Sequence, residues 1–150
     1  MDDLFASRTP RLIGSAQLVN SLRTASGLLL DFDDIQQSTF AKQFVVDNPS
    51  ESFRSTVQSL MMMNGDLVTK ACDPQSSPLI LTLLDAPFLD DANKVESLFL
   101  RTLSRYPSTE ERKLAFEFLQ SQRKHKVDDA QTFANLLWTL LNTAEFHTIE

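Results

Sequence analysis

The stretch Asn93-Lys94-Val95-Glu96-Ser97-Leu98-Phe99-Leu100-Arg101-Thr102-Leu103-Ser104-Arg105-Tyr106-Pro107-Ser108-Thr109-Glu110-Glu111 decides the fold class. Val95, Leu98, Phe99, Thr102, Leu103 and Tyr106 recur at i, i+3, i+4, i+7, i+8 and i+11, which is one face of a helix. Asp90 and Asp91 lie just upstream, where a carboxylate caps the first turn and favours its positive end. Pro107 is expected to end the helix, because the residue before a proline avoids helical geometry. Ser108 and Glu111 then fit a capping box, in which hydroxyl and carboxylate each satisfy a free backbone N–H. A second helix therefore starts at once, with Leu114, Ala115, Phe118 and Leu119 as its apolar stripe. The polar run 121–126 is the turn out of it.

A third helix is predicted from about Asp129 to Phe146. Phe133, Leu136, Leu137, Leu140, Leu141 and Ala144 repeat the same spacing. Trp138 is one position off that stripe and is expected to pack a second surface. These three helices make a compact C-terminal bundle over about 90–147. The N-terminal half, about 8–72, is less regular. Residues 14–26 read as a helix carrying Leu18, Leu22 and Ala25 and stopped at Gly27. Residues 33–45 read as a weaker one, and Asn48-Pro49-Ser50 as a turn. A helix over 53–69 is expected to turn Phe53, Val57, Leu60, Leu67 and Val68 inward. Residues 73–78 are a loop before a short apolar helix, 79–84. The pattern predicts an all-α, single-domain bundle of about six or seven helices spanning 1–150, with no internal repeat and no linker that divides it.

Composition narrows the function classes. The chain has 150 residues, 42% hydrophobic and 23% charged, with 3 Gly, 6 Pro and a net charge of −6. Such an acidic chain gains nothing from the phosphate neutralisation that drives nucleic-acid binding, so no nucleic-acid partner is expected. Residues 101–126 carry a local excess of basic side chains, read as a solvated face balancing acidic neighbours. The longest apolar runs, Leu28-Leu29-Leu30 and Leu60-Met61-Met62-Met63, fall far short of a membrane span. The acidic start Met1-Asp2-Asp3 does not fit a secretory signal, so a cytoplasmic location is expected. The single Cys72 has no partner for an internal disulfide.

Assembled catalytic chemistry is missing from the pattern. His125 and His147 have no ligand at i+3 or i+4, so no metal is expected. There is no C-x-x-C-H haem run, no phosphate-cradling glycine loop and no nucleophile elbow, so no cofactor is expected. The pairs Asp33-Asp34 and Asp90-Asp91 read as helix caps. Gln58 and Asn64 stand out as amides in an apolar helix, Asn64 on the stripe of Leu60 and Leu67. With Gly65, Asn64 is expected to end or kink that helix. Met61, Met62 and Met63 cover every side of one turn, so one of them must face away from the core. Arg101 and Arg105, at i and i+4, suit carboxylates or the terminal carbonyls of a neighbouring helix. The candidate contacts for a ligand or partner are thus Gln58, Met62, Asn64, Arg101, Arg105 and Trp138.

Four stretches carry a family resemblance. Residues 11–22, Arg11-Leu12-Ile13-Gly14-Ser15-Ala16-Gln17-Leu18-Val19-Asn20-Ser21-Leu22, resemble R-L-T-A-E-Q-L-x-D-A-L. Ser55-Thr56-Val57-Gln58-Ser59-Leu60-Met61-Met62-Met63-Asn64-Gly65 resembles S-x-x-Q-A-L-x-L-M-N-G. Residues 98–111 resemble L-F-L-x-T-L-S-R-x-P-T-P-E-E, and residues 135–146 resemble D-L-L-W-A-L-L-N-S-x-E-F. In this order they are similar to the C-terminal helical domain of unknown function of large planctomycete proteins that carry a cytochrome-c-like domain. The resemblance covers about residues 8–147 and implies a helical domain, larger relatives that look exported, and no established activity. Relative to that pattern the haem motif is missing and the stretch between Leu30 and Phe40 is shortened.

The reading is a non-catalytic helical module that binds a protein or surface partner, with its oligomeric state open. One alternative is a small-ligand or polysaccharide-related binding or enzymatic domain, which needs Gln58, Asn64, Arg101 and Glu145 to converge on a pocket. Another is a stand-alone remnant of a larger protein.

Overall fold

The computed structural model describes residues 11–29, 42 and 55–149. It is an all-α helical bundle. Helix α1 runs over Ser15–Ser26 and buries Leu18, Val19, Leu22 and Ala25. Gly27 ends it at φ 73°, its N–H donating to the Arg23 carbonyl at 2.9 Å. A Cβ there would lie 3.6 Å from the Pro78 Cβ, ordinary contact distance, so the positive φ and not crowding is what favours glycine.

The helix expected over 53–69 is two helices, α2 over Thr56–Asn64 and α3 over Asp66–Ala71. Gly65 separates them in extended geometry, at φ −68° and ψ 151°. The break reverses part of the expected facing. Leu67 and Val68 are buried, but Val57 and Leu60 are each 54% exposed, and Met62 takes the core position. Phe53, the 33–45 helix, the Asn48-Pro49-Ser50 turn and the shortened 30–40 stretch lie outside the described residues, apart from residue 42. Helix α4 spans Pro78–Asp85, with the proline at a position whose N–H needs no helical partner.

The C-terminal bundle follows as α5 over Asp91–Leu103, α6 over Thr109–Lys124 and α7 over Asp129–Leu141. Its caps form as the residue types require. The Asp90 carboxylate accepts the Asn93 N–H at 2.8 Å, and Ser108 with Glu111 closes a reciprocal box. Two boundaries and one facing differ from expectation. Helix α5 stops before Pro107 is reached, at Ser104 in the left-handed region (φ 56°), which leaves Tyr106 64% exposed. Leu114 is 63% exposed, and α6 packs through Ala115 and Leu119. The last predicted helix ends at Leu141, where Asn142 and Thr143 turn the chain into a short α8 over Ala144–His147.

Helix α1 packs against α5, and α7 against both α4 and α5. Buried side chains from Ile13 to Phe146 form one cluster shared by both halves of the chain, with Leu18, Leu98, Phe133 and Leu137 fully covered. A feature without a sequence signal closes it: β1, Arg11–Leu12, pairs antiparallel with β2, Thr148–Ile149. The Ile13 N–H extends that ladder to the His147 carbonyl at 3.0 Å. Two residues per strand are too short for alternation to register.

Candidate functional site

The candidate residues fall in three places. The first is α2. Gln58 is part of its N-terminal box: its backbone N–H donates to the Ser55 hydroxyl, and its side-chain oxygen accepts from the Ser55 N–H, both at 3.2 Å. Asn64 is exposed at the other end. The three methionines divide their turn: Met62 is fully buried, Met61 half-buried and Met63 45% exposed. Trp138 reaches this helix from α7, and its indole Nε1 donates to the Met63 carbonyl at 2.9 Å. That carbonyl belongs to the last turn of α2, where no helical donor remains for it. The second surface expected for Trp138 is therefore the end of α2.

The second place is Arg105, between the ends of α5, α6 and α8. Its guanidinium donates to both oxygens of Glu111, at 2.7 and 2.8 Å, and to both oxygens of Glu145, at 2.6 and 2.7 Å. A further N–H donates to the Tyr106 carbonyl, and the group sits 5.6 Å from the centre of the Phe99 ring. Two bidentate pairs on one fork satisfy its charge from both sides. The capping role of Glu111 is legible in the sequence; its second role, binding Arg105, is not. Arg123 repeats the pattern, holding Asp91 and Asp129 between α5, α6 and α7.

This geometry sets a pH dependence. The Arg105 guanidinium, with the Ser108 backbone N–H, holds the Glu111 carboxyl at about 2. An unfolded chain leaves glutamate near ~4.3. A depressed folded value stabilises the protein above the unfolded value, and that contribution is lost as pH falls from about 5 toward 2. The pair is about one-third exposed, so its worth is modest, about 1 kcal/mol. Arg105→Gln is expected to lower Tm at pH 7 and to converge on the wild type as pH approaches 2. Thermal melts of both proteins through that range check it; curves that stay parallel would show that the pair contributes nothing.

The third place holds Arg101. It is exposed and lines an open groove of about 400 Å³ with Asn20, Arg23 and Thr24 of α1 and the segment 27–29. Gln58, Asn64 and Glu145 do not line it. The four polar residues that an enzymatic or polysaccharide-binding reading required are thus spread over three places.

Burial pushes the Cys72 thiol up to about 12, so at neutral pH it is a protonated, inert packing group. Among the described residues no three His, Cys, Asp or Glu side chains gather as a metal site, and no helix is long and apolar enough to cross a membrane. No family model, no curated protein and no solved structure matches the chain.

Proposed function

We propose that this chain is a non-catalytic helical interaction module whose partner surface is α2. The observation that carries the reading is the exposure of Val57, Leu60 and Met63, at 54%, 54% and 45%. At 100° per residue these three positions fall within about 120° of one another around the helix, which is one face. An apolar face of that kind, left in water beside a covered core, suits the apolar side of a partner helix.

The four stretches that carry the family resemblance support a structural module over an enzyme, because they meet one another in space. Arg105 from the third stretch holds Glu145 from the fourth together with Glu111 of its own stretch. Trp138 from the fourth holds Met63 from the second. Helix α1, from the first, packs on α5, which begins the third. These contacts join helices together.

The test is a display screen of amphipathic helical peptides against the full chain, followed by Leu60→Asp. Peptides that bind the wild type are expected to lose about tenfold or more in affinity to the variant, because an aspartate at the centre of an apolar contact must be desolvated. Leu60 is half in water already, so the variant's Tm should stay close to wild type. Peptides that bind both proteins equally, or a screen that yields no binder, would overturn the reading.

A further inference from the structure

We propose that the groove between the C-terminal end of α1 and α5 binds an organic oxyanion, a carboxylate carried on an apolar body. The argument starts from how this acidic chain uses its arginines. Arg105, Arg112 and Arg123 are each locked to carboxylates of the chain itself. Arg23 and Arg101 make no ion pair among the described residues, yet both line this one groove. Among the described residues no aspartate or glutamate lines it, although the chain holds 20 acids against 14 bases.

Each of the two arginines stands in the last turn of its helix, where a cation offsets the helix dipole. That accounts for one charge at each helix end. It does not account for two arginines from different helices lining one shared groove together with Asn20 and Thr24. Guanidinium groups bind carboxylates through paired parallel N–H bonds, and the amide and hydroxyl add further polar contacts. The other wall is apolar: Leu28 is half-buried and Leu29 is 94% exposed. An inorganic anion would leave that wall unused, whereas an aliphatic carboxylate covers it. The chemistry is shared by a free fatty carboxylate and by the terminal carboxylate of a peptide ending in an apolar residue. This site is independent of the α2 face.

The test is a chemical-shift titration of the full chain with three probes: octanoate, N-acetyl-leucine and inorganic phosphate. Both organic carboxylates are expected to bind saturably in the millimolar range or tighter, moving the amides of Thr24, Gly27 and Leu28. Arg23→Gln and Arg101→Gln should each weaken them about tenfold, and Arg101→Lys by less, since it keeps the charge without the fork. Arg11→Gln, an arginine that does not line the groove, should leave the affinity unchanged. The tighter of the two organic probes identifies the source, fatty chain or peptide end. Three results would overturn the proposal: no saturable shift with either organic probe, equal affinity in the Arg23→Gln/Arg101→Gln double variant, or phosphate binding as tightly as the organic carboxylates. Thermal melts of each variant separate lost binding from lost folding.

Discussion

Phe133→Ala is expected to destabilise the protein by about 3–5 kcal/mol, more than truncating any half-buried side chain should cost. The ring is fully buried on α7, which packs against α4 and α5, and Lys94 lies over it at 5.8 Å. Removing it takes away the transfer free energy of a large apolar group and leaves a cavity that rigid helices close only in part. In a chain of this size the midpoint should fall by roughly 10–20 °C. Leu114→Ala provides the contrast. Leu114 and Phe133 both belong to predicted apolar stripes, but Leu114 is 63% exposed and its truncation should stay within about 0.5 kcal/mol. Thermal melts of the two variants decide between burial and periodicity. Equal losses would place Leu114 in a contact that the fold does not show.

That contrast also marks what is legible in the sequence. Long stripes define α5, α6 and α7, and at the heads of the first two a carboxylate cap and a capping box point the same way. Ends are harder. Tyr106 continues the stripe of α5 by spacing alone, and nothing in the sequence says that Ser104 takes a left-handed turn three residues before Pro107. In α2 almost every side of the helix is apolar, so periodicity does not choose a face, and it points Val57 and Leu60 at the core that Met62 occupies. The candidate sites divide in the same way. Arg105 is recognisable as a carboxylate binder from its chemistry. Its partner Glu145 lies 40 residues away and is brought to it only by the packing of α7 and α8. The groove of Asn20, Arg23, Thr24 and Arg101 draws on two helices about eighty residues apart, and its signal is what these arginines lack among the described residues, an internal carboxylate.

Trp138→Ala is expected to cost about 2–3 kcal/mol, less than a fully buried tryptophan because the ring is half-buried. The effect should be uneven. Helix α2 packs chiefly on the short α3, and the indole bond to the Met63 carbonyl is a long-range hydrogen bond that ties its end to the C-terminal bundle. Without it, a terminal carbonyl of α2 loses its donor and the helix loses the ring beside its last turn. Amide exchange over 56–64 should therefore accelerate more than the global loss explains, marking a local opening of α2. Trp138→Phe separates the two contributions: it keeps most of the packing, removes only the N–H, and should cost about 0.5–1.5 kcal/mol. Hydrogen exchange followed by mass spectrometry reads both variants. If α2 exchanges no faster than the rest of the bundle in Trp138→Ala, the indole is a packing group and not a tether. If α2 opens selectively, Trp138 is what presents Val57, Leu60 and Met63 as a rigid face, and any peptide bound there should weaken in Trp138→Ala although the substituted side chain lies on another helix.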